Sequence, residues 1–324
     1  MNSLEELKSH LDIEFSNVEN KKVDEVRSVV SGVEKAVDVI MASAKTVVDR
    51  AFSKANLLRR SKRSFTFDMS GIDVFFDKCF VNVTVVRGNN IDPKYNGGFF
   101  PRKSLSEKDG RLHVTPFINV KVKASSKWQA IHILKGTLGH ELTHAYNSYQ
   151  YGVKNNKSTE EIISNAFDDQ HYRDIESART SKEDTSSNKQ AVGFLNYVLN
   201  RMERNAIIAQ LAQELESASE YIVDSKTAME AIRTTESWQK YHWVENNVNI
   251  ILSSGNDAHI VKTVTDVTNQ IMGTKFTDYE QVKKYYTNRW NIWKKKYLTA
   301  ASKIAYDIYE RTHGKRGADN QRQS

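Results

Sequence analysis

Two histidines four residues apart constrain this chain more than any other feature of its sequence. His140 and His144 lie in residues 127–149, where apolar residues recur at steps of three and four. That period predicts a helix. On a helix, residues four apart lie one turn apart on the same face, so both imidazole rings can reach one point.

Glu141 completes the pattern His-Glu-x-x-His. It lies about 100° round the helix from His140, where its carboxylate can contact a water beside a metal ion without binding the metal. Zinc-dependent hydrolysis uses this arrangement, because the ion acidifies a water and the glutamate takes its proton. Roughly 0.03 such patterns are expected by chance in a chain of this composition. The alternative is a helix whose His and Glu make only surface contacts.

A catalytic zinc ion needs a third protein ligand. The metzincin pattern would have Gly at position 147 and His at 150, but this chain has Asn147 and Gln150, which excludes that class. The downstream candidates are His171, Glu176, Glu203, Glu214, His242 and His259.

Glu203 is the favoured third ligand. Its helical neighbours Leu199, Ala206 and Ile207 are all apolar, and a carboxylate on a buried face is costly unless it is paired or bound to a metal. Ala206 is also small enough to let this helix approach the motif helix closely. The alternative is a glutamate paired with a basic residue. Glu214 lies on roughly the same face and ranks next.

The two motifs, His140-Glu141-x-x-His144 and Glu203-x-x-Ala206 on a separate helix, resemble the gluzincin metallopeptidases. More narrowly, they are similar to compact, minigluzincin-like members with a small sheet, a motif helix and a glutamate helix. The resemblance covers about half of the chain. It implies a zincin-like core, a zinc cofactor held by the two histidines and Glu203, catalysis by Glu141, and a protein or peptide substrate.

The resemblance carries three further implications. It implies that Phe117–Val122 is the edge strand that holds the substrate backbone, and that a Tyr or His steadies the oxyanion. The nearest candidates for the oxyanion role are His171, Tyr172 and Tyr197. The family often has an acidic partner soon after the Glu ligand, but position 207 is Ile207, which leaves that role unassigned.

The rest of the pattern predicts an α+β fold that is mostly α, with a small mixed sheet before the motif helix. Strands are predicted at 81–86, 112–114 and 117–122, with turn signals at Asn96-Gly97-Gly98 and Asp109-Gly110. Cys79 precedes a predicted strand, so we expect it to be buried. It is the single cysteine, which excludes an intramolecular disulfide.

We expect four regions along the chain. They are an N-terminal long-helix region at 1–63, a zincin-like catalytic domain at 64–224, a C-terminal helical region at 225–312, and a disordered basic tail at 313–324.

Two long helical patterns flank the predicted core. From Val26 to Ala51 the apolar stripe is wide and poor in Leu, which favours packing on the same chain over a self-associating coiled coil. Residues 279–311 carry an aromatic stripe that is typical of a core. Further helices are predicted at 191–222, 238–252 and 258–271. The basic residues at 59–63 are interpreted as a solvated linker.

Charge and hydropathy bear on partners and location. The net charge is +7, of which the last fourteen residues carry +3. The small charge that remains on the rest of the chain leads us to expect no nucleic-acid partner. No segment is apolar enough for a signal peptide or a membrane span, so we expect a cytoplasmic protein with no membrane partner. An alternative function is a structural or delivered protein, for example a phage particle component, that carries a peptidase-like domain. The Lys- and Asn-rich composition is compatible with a phage or bacterial origin.

Overall fold

The fold is described by a computed structural model. It describes residues 3–16, 24–55, 58–70, 76–88, 94–108, 111–155, 158, 160–161 and 187–314.

Within these ranges the chain forms nine helices of at least ten residues. They are α1 (Ser3–Ser16), α2 (Asp24–Phe52), α3 (Lys127–Asn155), α4 (Ser187–Val198), α5 (Arg201–Glu216), α6 (Ser225–Thr234), α7 (Glu236–Ser253), α8 (Ala258–Met272) and α9 (Tyr279–Tyr309). No helix among the described residues is long and apolar enough to cross a membrane.

The strands form two sheets. They are β1 (Arg60–Asp68), β2 (Lys78–Arg87), β3 (Lys94–Phe99), β4 (Leu105–Lys108), β5 (Arg111–Val114) and β6 (Phe117–Ala124). The main sheet has the order β1-β2-β6-β3, and β4 pairs with β5 in a hairpin. Because β2 pairs with β6 in parallel and the other pairs are antiparallel, the sheet is mixed. The predicted α+β, mostly α class with a small sheet before the motif helix is therefore confirmed.

Two sequence interpretations of the sheet region were wrong. The basic run at 59–63 is not a linker, since Arg60 begins β1, an edge strand in which Ser61 is buried and Lys62 is exposed. Charged side chains on an edge strand also discourage pairing with other chains. Asn96-Gly97-Gly98 is not a turn but part of β3.

The expected edge strand also changes. Phe117–Val122 belongs to β6, which lies between β2 and β3, so the resemblance pointed to the wrong strand. Among the described strands, β3 is the edge on this side of the sheet. Sequence period alone could not decide this, because the order of strands depends on long-range pairing.

The first hydrophobic core lies between the sheet and helices α2 and α3. Cys79 and Val83 of β2 contribute to it and are fully buried. On α2, the stripe from Val33 to Ala51 is buried in the same core, which confirms that this part of the helix packs on its own chain. The earlier stripe positions, 26 and 30, lie outside the described side chains.

The second core joins α1 to the helices from α4 to α9. Leu7 and Leu11 of α1 are fully buried in it. The predicted stripe of α9 is buried throughout, as expected for a core: Val282, Tyr286, Trp290, Trp293, Tyr297, Ala301, Ile304 and Ile308. The regions with boundaries at 63/64 and 224/225 stay a prediction, since a shared core does not show which segments fold alone.

The single helix predicted at 191–222 is two helices, α4 and α5. The backbone N–H of Asn200 bonds to the carbonyl of Tyr197, which tightens the last turn of α4. The carbonyl of Asn200 then accepts the N–H of Arg204 and opens α5. Asn is favoured at this position before a helix. The predicted short helix near 159–178, most of the predicted loop at 180–190 and most of the tail at 313–324 lie outside the described residues.

Candidate metal centre

Helix α3 presents the His-Glu-x-x-His motif beside the sheet. The hydroxyl of Ser126 accepts the N–H of Gln129 and caps the start of the helix. Leu134, Leu138 and Leu142 recur every four residues and are fully buried in the core. This anchors one face of α3 on the sheet side and fixes the direction in which the histidines point.

The two histidines meet as the spacing predicts. Their Nε2 atoms are 3.3 Å apart. Glu203 of α5 completes the group, with Oε1 3.2 Å from Nε2 of His140 and Oε2 3.4 Å from Nε2 of His144. All three side chains are buried. The structure therefore brings the three predicted ligands together in a cluster that could hold a metal ion.

Helix α5 reaches this position through glycines that the sequence analysis missed. A Cβ on Gly139 would lie 2.7 Å from Cγ of Gln213, and one on Gly136 would lie 3.3 Å from Cγ of Glu214. Ala206 on α5 is also fully buried. The sequence did contain a signal for this packing. Two glycines three residues apart inside a helical pattern indicate that another helix packs closely there.

The spacing fits one tetrahedral ion. Two ligand atoms about 2.0–2.1 Å from zinc at a tetrahedral angle lie about 3.3 Å apart. The two Nε2 atoms are 3.3 Å apart, and they lie 3.2 and 3.4 Å from different oxygens of Glu203. With one ligand atom taken from each residue, all three atoms lie within 4.8 Å of one another. Two imidazoles and one carboxylate also form a typical donor set for catalytic zinc. Other divalent ions of the first transition row accept the same donors, so the geometry supports a metal site without fixing the metal.

The electrostatics of the cluster favour a charged Glu203. Burial raises the pKa of this carboxyl, but His140 and His144 outweigh burial and hold the pKa well below its usual range. Burial lowers the pKa of His144, and the hydrogen bond and charge of Glu203 reverse that effect and raise it. A charged carboxylate and two imidazole nitrogens buried together favour the binding of a cation, which would neutralise the buried negative charge.

The Nδ1 atoms of the two histidines point away from the cluster centre formed by the Nε2 atoms and Glu203. Nδ1 of His140 and Nδ1 of His144 are buried and have no hydrogen-bond partner within the described part of the chain. Zinc-binding histidines usually donate this N–H to an outer partner. In this chain the contacts with Glu203 and the packing of α3 hold the rings.

Glu141 lies next to the cluster and contacts strand β3. The N–H of Phe99 donates a hydrogen bond of 2.8 Å to its Oε2. A Cβ on Gly97 would lie 2.4 Å from its Oε1. Glycine inside a strand marks a close approach of another group, and here the approaching group is the carboxylate of Glu141.

The other candidate ligands lie elsewhere or are not described. Glu214 is buried, but it accepts hydrogen bonds from Ser237 and Gln210. Ser237 belongs to the first turn of α7, and its N–H donates to the carboxylate of Glu214. His242 bonds to Glu245 on the surface, and His259 is exposed at the start of α8.

The oxyanion candidates are less well placed. Tyr197 stacks beside Phe194 in the second core, with ring centroids 6.1 Å apart. His171 and Tyr172, like the ligand candidate Glu176, lie outside the described residues. The oxyanion role therefore stays a prediction.

Comparison with known proteins adds no family. No protein-family model, no curated protein and no solved structure matches this chain. The functional argument consequently rests on the geometry of the buried cluster.

Proposed function

We propose that this protein is a zinc-dependent metallopeptidase, similar to the gluzincins, that hydrolyses peptide bonds. The observation that carries the proposal is Glu203. It comes from a separate helix, 59 residues after His144 in the sequence, and its carboxylate lies within 3.4 Å of both ring nitrogens. A surface pair of histidines would have no reason to attract a buried carboxylate.

In this proposal His140, His144 and Glu203 hold the zinc ion. When bound, zinc polarises a peptide carbonyl and acidifies a water. Glu141 accepts the proton of that water and passes it to the leaving nitrogen. The N–H of Phe99 holds the carboxylate of Glu141 in place through the 2.8 Å bond. The buried setting of Glu141 strengthens these electrostatic contacts, because little water screens them.

The position of β3 supports an extended substrate. β3 pairs with β6 on one side, and no other strand in the described ranges pairs with it on the other. The outward N–H of Phe99 meets Glu141 on that free side. A peptide that added to this edge would pass beside Glu141, and backbone pairing would hold it without regard to its sequence. The edge expected at Phe117–Val122 is thus replaced by Lys94–Phe99.

Metal analysis combined with one variant tests the proposal. The purified protein should contain one zinc per chain and should cleave an unfolded protein such as casein. Glu141→Gln should keep the zinc and lose the cleavage, because the residue acts on water and not on the metal. Cleavage that persists in this variant would place the chemistry elsewhere. Zinc retained without any hydrolysis by the parent protein would favour the alternative, a structural or delivered protein with a peptidase-like domain.

A further inference from the structure

The face of the sheet opposite α2 and α3 is patterned in rows that run across the strands. Residues paired between strands share a row, and alternate residues of each strand share a face. The central rows on this face are a basic row (Lys62, Thr84 and Lys121), an amide row (Ser64, Asn82, Asn119 and Gly98) and an aromatic row (Thr66, Phe80 and Phe117). Beyond the basic row lie Arg60, Val86 and Lys123, and beyond the aromatic row lie Asp68 and Lys78.

The basic end of this face lacks countercharges. Lys62 and Lys121 are exposed, and Lys123 is half-buried beside them. Among the described residues no salt bridge involves any of the three. At the aromatic end, Lys103 lies over the ring of Phe117, 4.8 Å from its centroid. At that end Asp68 is paired across the strands with Lys78, and Lys103 adds a further positive charge. Positive charge therefore predominates at both ends of the face, which suits a ligand with several negative charges.

A trough of about 380 Å³ crosses the basic and amide rows. Lys62 and Lys121 line one end of it and Phe100 lines another part. Gly98 leaves the floor open, since a Cβ there would lie 3.4 Å from the ring of Phe100. The volume falls within the range of sites that hold small organic ligands.

The groups in the trough match the parts of a nucleotide. Nδ2 of Asn82 donates to Oδ1 of Asn119 across 2.6 Å, which leaves an amide acceptor and an amide donor for a ligand. Along β6 the lysine row is roughly 7 Å from the amide row. Phe100 is 38% exposed and offers a ring for stacking. The phosphate of a nucleotide can therefore contact a lysine, the edge of its base can hydrogen-bond to an amide, and the ring of its base can stack on Phe100.

We propose that this outer face binds single-stranded nucleic acid, with one nucleotide seated in the trough. Phosphates contact the lysines at both ends, and a base stacks on Phe100. An acidic peptide without aromatic residues, such as polyglutamate, could contact the lysines but has no flat ring to stack on Phe100. Gly97 faces Glu141 on the other side of β3 while Gly98 faces the trough, so this binding does not depend on the proposed hydrolysis.

Binding of a fluorescent oligothymidylate of about twelve nucleotides tests the proposal, because such sites span about 4–16 nucleotides. The full chain should bind it, and Lys62→Ala/Lys121→Ala should weaken binding at least tenfold. That double variant should also reduce the slope of log K against log salt by about 1.4, or about 0.7 for each lost phosphate contact. Phe100→Ala should weaken binding about tenfold and leave the slope unchanged.

Lys45→Ala/Lys226→Ala is the matched control, since both lysines are exposed on helices and the change in net charge is the same. It should bind like the parent protein. The proposal is overturned if this control weakens binding as much as the sheet variant, or if the parent fails to bind at low salt. It is also overturned if polyglutamate competes as well as the oligonucleotide, or if a single thymidine nucleotide binds as tightly. The expectation of no nucleic-acid partner, which rests on charge summed along the chain, is tested by the same measurement.

Discussion

The backbone N–H of Phe99 donates a hydrogen bond to the carboxylate of Glu141, across 2.8 Å and between two elements that are far apart in the sequence. The contact connects β3 to helix α3, which carries His140 and His144. It exists because Gly97, two residues earlier on the same strand, has no side chain to fill the space. The geometry of the proposed base is thus set by the sheet as well as by its own helix.

Gly97→Ala should lower peptide hydrolysis without removing the metal. The new Cβ would lie 2.4 Å from Oε1 of Glu141 and 2.7 Å from Cγ2 of Thr137, so the carboxylate must move. A displacement of about 1 Å costs on the order of 100-fold in rate. The measurements are kcat with casein-derived peptides and zinc content. Gly98→Ala is the matched control, because its Cβ would meet only the Phe100 ring at 3.4 Å and beyond. Equal losses in the two variants would show that Glu141 is not positioned in this way.

Glu203→Ala should weaken zinc binding more than ~100-fold. Loss of a residue that only hydrogen-bonds to a metal ligand lowers metal affinity by about 10–100-fold, and loss of a ligand itself should cost more. The fold should survive in excess metal, because the lining around the site is unchanged. Competition with a zinc chelator gives the affinity. Glu214→Ala and His171→Ala, measured in parallel, should keep the parent affinity. If one of these two variants lost zinc and Glu203→Ala did not, the third ligand would be the residue changed in that variant and not Glu203.

Glu214 should make stability depend on pH. Burial raises its pKa from the ordinary 4.5 to about 7. Between these values the folded state binds more protons at Glu214 than the unfolded state does, so the contribution of Glu214 to the free energy of unfolding is largest below about pH 4.5 and is lost as the pH rises through about 7. Glu214→Gln should remove this slope and raise stability at neutral pH by on the order of 1–3 kcal/mol. Urea unfolding at a series of pH values checks it, and an unchanged slope in the variant would refute it.

Ile40→Ala should destabilise the protein by about 2–5 kcal/mol, the usual cost of a cavity at a fully buried Ile. Ile40 is 0% exposed in the core between α2 and the sheet. Lys45→Ala, on the exposed side of the same helix, should change stability by less than ~0.5 kcal/mol. Thermal unfolding of both variants gives the comparison. A neutral Ile40→Ala would mean that α2 does not pack on the sheet in solution.

The elements that the sequence predicted well are those with a strong local period. The motif helix, the buried stripe of α2 and the aromatic stripe of α9 all repeat every three or four residues over many turns. Helical period and burial follow from the same spacing, so one pattern indicates both. The apolar neighbours of Glu203 belong to this kind of signal.

The features that the sequence missed depend on contacts between distant segments. Asn96-Gly97-Gly98 reads as a turn by composition, but Glu141 needs space beside β3, and the glycines supply it in an extended strand. The basic run at 59–63 reads as solvated, but pairing with β2 turns most of it into an edge strand. In both cases a tertiary contact overrides a local preference.

By itself, the sequence determined the candidate ligand pair and its helix, because four-residue spacing and helical geometry place His140 and His144 on one face. Only the tertiary structure decided that Glu203 reaches them, because that depends on how closely α5 can pack on Gly136 and Gly139. It also decided that β3 and not β6 forms the edge beside Glu141. Apolar periodicity indicates which face of a helix or strand is buried. Which other helix or strand packs against that face depends on the packing of the whole chain.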